Sequence, residues 1–373
     1  MRDCSPVLGP EAFDFELPPQ QIAQHPASRR GAARMLVLEE AGVLHRRADE
    51  LAEVLPEHAL VVVNNSRVVP ARVHLRCVAG KGEGRVFEVL VCSPGPEITT
   101  GAVFPAWVRG ARRLAAGDQL DSGEGFRCTY LGAELPVHTP DQLTSHANDP
   151  RVRWFQVEAG DLLPTLRAHG EVPLPPYIRR PEGPDGDDAE RYQTLFAEAP
   201  GSVAAPTAGL HWEPEVLAKL DRVALTLHVG PGTFLPMDVA DVREHRVGSE
   251  RVSLSAEAAA KILEARQAGR PIVAIGTTAT RALEGIAARR GRLEEFRGNI
   301  DLVITPGHRF QVVDCLVTNF HLPRSSLLML VCALGGRERV LEGYRTAVAA
   351  GYRFYSYGDC MVVPAARRDL PCG

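Results

Sequence analysis

The strongest constraint on the fold is the alternation of strand and helix signals between Ser255 and Gly351. Ser255 is placed to cap a helix running to about Ala268, with Gly269 at its end and Pro271 just beyond. A strand over Pro271–Ile275 follows, then Gly276-Thr277-Thr278 opens a second helix to about Arg289. Residues Ile300–Ile304 and Val312–Val317 read as further strands, and Ser325–Leu334 and Arg337–Ala350 as further helices. Strands separated by helices of this length predict parallel βαβ units. Leu60–Val63 reads as one more buried strand, ended by Asn64-Asn65-Ser66.

From about Arg72 to Val157 the pattern changes. Short alternating stretches such as Arg85–Val91 and Ala102–Val108 are divided by Gly and Pro clusters, as in a small antiparallel β domain or barrel. With 373 residues the chain is long for one core, so two units are expected. The expected fold class is α/β: a discontinuous α/β domain over 1–71 and 157–373, with a β-barrel-like domain inserted at 72–156. An acidic loop over Pro181–Asp188 is expected to be exposed.

Composition narrows the function. No apolar run approaches the roughly 20 residues of a membrane span, and no apolar segment follows the charged start, so a cytoplasmic location and no membrane partner are expected. The net charge of −4 gives no bulk attraction for nucleic acid. Arginines group at 29, 30 and 34, at 109, 112 and 113, and at 289, 290 and 292, each group reading as a solvated face. The segment 71–156 carries 10 Lys or Arg against 9 Asp or Glu. Eight cysteines are scattered with no C-x-x-C pair, so no metal is expected, and they read as buried, reduced side chains.

Phosphate-loop, serine-hydrolase and zinc-protease signatures are missing. Gly80, Gly82 and Gly84 read as a tight turn. Polar clusters instead sit at predicted strand ends. VVNNSRVVPAR carries Asn64, Asn65, Arg67 and Arg72, able to hydrogen-bond a base or ribose and to fork onto an anion. APTAGLHW and TLHVGPGTF bring Thr207, His211, His228 and Thr233 beside glycines, and imidazole suits proton transfer near neutral pH. In IGTTATRALE, Thr277, Arg281 and Glu284 share a helix face behind an N-terminus suited to an anion. VDCLVTNFHLP adds Asp314, Thr318, Asn319 and His321, and YRFYSYGDCM adds Tyr355, Tyr357 and Asp359. Residue chemistry thus predicts an α/β enzyme with a polar, His-bearing pocket, without naming a reaction.

The same segments, together with FDFELPPQQIAQHP and PLPPYI, resemble the S-adenosylmethionine:tRNA ribosyltransferase-isomerases of queuosine biosynthesis over nearly the whole chain. The resemblance implies transfer and isomerisation of the ribosyl part of S-adenosylmethionine onto 7-aminomethyl-7-deazaguanine at the tRNA wobble position. Epoxyqueuosine forms, and adenine and methionine leave. The partners implied are tRNA with a GUN anticodon and S-adenosylmethionine, which is a substrate, so no cofactor is expected; a monomer is expected. Under this resemblance His211, His228 and His321 are the expected proton-transfer residues, with Asp314 or Asp359 orienting a partner. Asn64, Asn65, Thr207, Thr233, Thr277, Thr278 and Asn319 are expected to bind ligand. Arg67, Arg72 and Arg281 are expected on a carboxylate or phosphate.

One departure stands out. The family's usual H-x-M-H-x-E appears as His245-Arg246-Val247-Gly248-Ser249-Glu250, so His245 and Glu250 remain as substrate-binding expectations while Gly248 replaces the second histidine. This leaves two alternatives: a paralogue using S-adenosylmethionine with another acceptor, and a catalytically silent tRNA-binding protein.

Overall fold

The structure is a computed structural model that describes residues 8–181, 183, 186–234 and 239–366. In the N-terminal part β1 (Arg34–Glu39) turns into β2 (Gly42–Arg47), and α1 (Leu51–Val54) leads to β3 (Leu60–Asn64) and the short β4 (Ser66–Val68). Six strands follow: β5 (Arg72–Ala79), β6 (Val86–Val91), β7 (Val103–Val108), β8 (Gln119–Asp121), β9 (Arg127–Gly132) and β10 (Val152–Ala159). The chain continues through α2 (Leu162–His169), α3 (Asp188–Arg191), β11 (Ala199–Ser202), α4 (Pro214–Ala218), β12 (Arg222–Leu227) and β13 (Glu250–Leu254). Then come α5 (Ala256–Gln267), β14 (Ile272–Ile275), α6 (Thr277–Arg290) and β15 (Phe296–Ile300). The last elements are β16 (Cys315–Asn319), α7 (Ser326–Gly335), α8 (Arg337–Ala349) and β17 (Cys360–Pro364).

Nine strands form one sheet in the order β15-β13-β12-β3-β14-β16-β17-β1-β2. Its centre, β12-β3-β14-β16, is parallel, as the helical connections require. The flanks of the sheet are mixed: β17 runs antiparallel to β16, β13 to β12, β15 to β13 and β2 to β1. Alternate residues of each strand face opposite layers. Leu60, Val62, Ile272 and Ala274 pack under α5 and α6, and Leu316 and Leu36 pack under α7 and α8. Val61, Val63, Val273, Ile275 and Val317 face the other way, onto Trp212, Val216 and Leu217.

The helix boundaries follow local chemistry. Ser255 Oγ accepts from the Ala258 N–H at the start of α5, and Ser325 Oγ does the same for Leu328 at α7. Gly276 holds φ +92° to turn β14 into α6, a conformation that side chains disfavour. The strand expected over Ile300–Ile304 ends at Ile300, because the Leu302 carbonyl accepts from Arg281 Nε.

Strands β5 to β10 pair in a closed antiparallel ring, β10-β7-β6-β5-β8-β9. Its interior is filled by Val73, Leu75, Phe87, Val89, Phe104, Leu120, Cys128 and Phe155, with α2 packed on it. The Gly80–Gly84 stretch is the tight turn expected, its Lys81 and Gly82 N–H groups donating to Asp118. Arg72 and Glu171 exchange backbone hydrogen bonds, so the entry and exit of the ring are tied together. Asp188 of the acidic loop is not exposed: it is buried against Arg180 and the Tyr357 hydroxyl. No helix among the described residues is long and apolar enough to cross a membrane.

Candidate active site at the carboxyl edge of the sheet

Ligands of α/β sheets sit outside the carboxyl ends of the parallel strands. Here that edge is formed by Asn64, Leu227-His228, Ile275-Gly276 and Asn319, with Asp359 beside Asn319 because β17 runs the opposite way. One group at this edge is His211 with Asn319. His211 follows a single helical turn, Thr207–Gly209, and is anchored by the fully buried Trp212. Its Nε2 lies 3.3 Å from Asn319 Oδ1. Asn319 Nδ2 donates to the carbonyls of Tyr355 and Ser356, which turns its oxygen toward the histidine. The facing oxygen requires a proton on His211 Nε2, so the Nδ1 lone pair is the one that can accept a proton. Burial pushes the His211 pKa down to about 4, against the opposing effect of the Asn319 bond. The ring is therefore neutral at pH 7, at some cost in basicity.

The loop opposite His211 is held under strain. Tyr355 sits at φ +73°, rare for a residue other than glycine. Asn319 grips its carbonyl, its N–H donates to Phe320 O, and Asp359 closes the loop from below. Buried Asp359 accepts the Arg34 N–H at 2.9 Å and the Arg353 N–H at 2.8 Å, with both guanidinium groups nearby at 3.4 and 3.7 Å. Tyr177 packs against Tyr355 with the ring planes tilted by 39° and centroids 3.9 Å apart, and its hydroxyl meets that of Ser356. A cleft of about 20 Å³ between Arg30, Arg191, Leu210, His211, Ser356 and Gly358 opens beside this loop.

A second group lies on the α6 face. Asn64 Oδ1 accepts from the Ser66 and Leu227 N–H groups, while its Nδ2 donates to Leu227 O and approaches Thr278 Oγ1 at 3.4 Å. Arg281 pairs with Glu250 in a buried contact, and Thr277 is buried beside Thr278 at the start of the helix. His321 meets Thr318 Oγ1 at 2.9 Å, and burial lowers its pKa to about 3. His228 stands at the end of β12, facing Gly201, where a Cβ would approach Nδ1 within 2.6 Å. Burial first and Arg251 second bring its pKa to about 4, and its buried Nδ1 has no partner. His245 is half-buried and its pKa is lowered by burial, Arg246 and Arg281.

The remaining expected residues divide. Asn65 bonds Glu198 and Thr226, Arg67 donates to Ala197 O, and Thr207 begins the turn that carries His211. Arg72 lies at the base of the ring, 4.0 Å from Glu88. The Thr233 side chain is outside the described residues. Asp314 does not join the site: it precedes β16, at the opposite end from Asn319, where its carboxylate accepts the Ile272 N–H. Asp359 touches backbone amides and arginines rather than a histidine, so it positions the loop. His211, His228, His321, Asn64, Thr278 and Asn319 thus fall into separate small groups on the two faces of one edge, and of the expected histidines His211 alone lines the cleft beside Tyr357. Tyr177, Ser356 and Arg191 carry no chemical signal in the sequence beyond the Pro-rich approach to Tyr177, and Arg30, expected on a solvated face, instead donates to the carbonyls of Leu210 and Gln193. Among the described residues no three His, Cys, Asp or Glu side chains converge as a metal would require.

The family model described as "Queuosine biosynthesis protein" matches residues 10–363. The chain belongs to this family. Among curated relatives, the S-adenosylmethionine:tRNA ribosyltransferase-isomerase of Nitratidesulfovibrio vulgaris (strain DP4) is 43% identical, covering 94% of this chain and 96% of its own. The protein of the same name from Anaeromyxobacter dehalogenans (strain 2CP-1) is 44% identical, covering 94% and 98%. A solved structure of S-adenosylmethionine tRNA ribosyltransferase from Thermotoga maritima aligns with a TM-score of 0.50 and 31% identity, covering 94% of this chain and 99% of that one. At Gly248, where the resemblance leads one to expect a histidine, an added Cβ meets nothing within 4 Å.

Proposed function

We propose that this protein is an S-adenosylmethionine:tRNA ribosyltransferase-isomerase. It moves the ribosyl portion of S-adenosylmethionine onto 7-aminomethyl-7-deazaguanine at the wobble position of a GUN anticodon, forming epoxyqueuosine and releasing adenine and methionine. The observation that carries this reading is the His211–Asn319 pair at the carboxyl edge, inside a chain that matches its family from residue 10 to residue 363. His211 Nδ1 is the proton acceptor; His228 and His321, both neutral, are the further proton-transfer groups. Asn64, Thr277 and Thr278 bind ligand at the start of α6, and Asn319 sets the orientation of His211. Asp359 acts through the loop it holds, and Asp314 has no part in the chemistry. Residues 72–156 form an inserted β-barrel-like domain, and 1–71 with 157–373 form the α/β domain. The protein works in the cytoplasm as a monomer, with S-adenosylmethionine as substrate and no separate cofactor.

The test is adenine release from S-adenosylmethionine by the purified protein. Release with tRNA carrying the aminomethyl-deazaguanine, and none with unmodified tRNA, is the expected result. Release with another acceptor would support the paralogue reading that Gly248 motivates. RNA binding without release would leave a silent binding protein.

A further inference from the structure

Arg281 is unlike the other arginines expected to contact an anion. Arg67 is exposed and is bonded to Ala197 O, while the Arg72 side chain is 30% exposed and its buried Nε, without a hydrogen-bond partner, faces the Glu88 carboxylate at 4.0 Å. Arg281 is 9% exposed, and its guanidinium is satisfied on one side: Nε donates to Leu302 O and Nη1 to Glu250. Its Nη2 is buried and has no partner. A buried donor left unpaired is costly, so Nη2 has one hydrogen bond to offer that no protein group takes up.

The surroundings specify the missing partner. Arg281 stands one turn after Thr277 on α6, and helical side chains lean back toward the N-terminus. That N-terminus opens a helix of 14 residues and has no side-chain cap, so its first N–H groups and its dipole face the same edge as the orphan nitrogen. Glu250 belongs to β13, whose start lies beside the end of β12, so the pair is at the carboxyl edge. Around it, Thr277 is 6% exposed and Gly248, two residues before Glu250, borders open space. With Arg281 and Thr277 both at least nine-tenths buried, the end of a small molecule matches the position better than the backbone phosphate of a polymer does.

We propose that Arg281 Nη2 and the first turn of α6 form a carboxylate subsite, and that its ligand is the α-carboxylate of the methionine half of S-adenosylmethionine. Arg281 is then a substrate-binding residue, with Glu250 fixing its guanidinium plane. This rests on the proposed function, since it names the ligand of the same edge.

The test compares S-adenosylmethionine with its decarboxylated analogue as substrates for adenine release, at saturating modified tRNA, in the wild-type protein and two variants. Arg281→Lys keeps the charge but loses the fork. Arg281→Gln with Glu250→Gln removes both members of the pair, so that no lone buried charge remains. In the wild type the carboxylate should improve kcat/KM by roughly 10- to 100-fold, the range of a charge-assisted hydrogen bond. In Arg281→Lys that advantage should shrink, and in the double variant it should fall to within about threefold. An advantage that survives intact in a folded variant overturns the proposal, as does a wild type indifferent to the carboxylate. Binding of tRNA without S-adenosylmethionine gives the other arm: weakening there, with the carboxylate advantage retained, would assign the subsite to a tRNA phosphate and overturn it too. A wild type that releases no adenine from S-adenosylmethionine itself fails the underlying function instead, so the two failures are distinguishable.

Discussion

Replacing Asp359 by Asn probes how the loop opposite His211 is held. The carboxylate accepts two backbone N–H groups, from Arg34 at 2.9 Å and from Arg353 at 2.8 Å, one on each oxygen. Asparagine keeps one acceptor, and its NH₂ must face the other donor. One charge-assisted bond is lost, worth roughly 1.5–3 kcal/mol, and one N–H is left unpaired beside the amide, costing about 1–3 kcal/mol. Relaxation of the loop recovers part of this, so the expected destabilisation is about 2–4 kcal/mol. Chemistry should suffer as well, because the same loop presents the Tyr355 and Ser356 carbonyls that orient Asn319 toward His211. A misplacement of about 1 Å costs up to roughly 100-fold in rate, so kcat for adenine release should fall by about 10- to 100-fold. Urea unfolding followed by circular dichroism gives the stability, and adenine release gives the rate. An Asp359→Asn protein with wild-type midpoint and wild-type kcat would refute this account of the loop.

Further outcomes follow from the same geometry. His211 has a folded pKa of about 4, below the roughly 6.5 of an unfolded imidazole, so the unfolded chain takes up its proton first as the pH falls. Its contribution is complete above about pH 6.5 and is lost at about 1.4 kcal/mol per unit between pH 6.5 and 4; His211→Gln should flatten the urea midpoint against pH in that window, and an unchanged slope would contradict the burial argument. Gly248→His enters open space and should change stability by less than about 0.5 kcal/mol, with adenine release equal to or above wild type; a loss beyond about 1 kcal/mol would contradict the open site. Gly285→Ala should destabilise by roughly 1–3 kcal/mol in the same unfolding assay, since its Cβ would come within 2.4 Å of Ile300 where α6 crosses β15; wild-type stability would mean that the crossing gives way.

Local signals with a mechanism carried over well into the structure. Ser255 and Ser325 do cap helices, Gly276 does turn a strand into a helix, and β3 does end at Asn64. What failed depended on partners distant in sequence. Ile300–Ile304 has the composition of a strand, but Arg281 claims the Leu302 carbonyl. Asp314 and Asn319 are close in sequence, yet the intervening five-residue strand spans about 16 Å, which puts them at opposite edges of the sheet. Strand parity likewise separates Thr318, beside His321, from Asn319, beside His211. Asp188 reads as one acid in an exposed loop, while Arg180 and Tyr357 draw it inside. The sequence clusters therefore identified the edge, and the faces became legible only once the strands were paired.

The central claim concerns a sugar transferred to a base, and the most direct measurement is mass analysis of the wobble nucleoside after incubation with S-adenosylmethionine. The account predicts an epoxycyclopentanediol-bearing base formed one-for-one with adenine and methionine. Adenine released while the base stays unmodified, or a base that gains a methyl group alone, would contradict it.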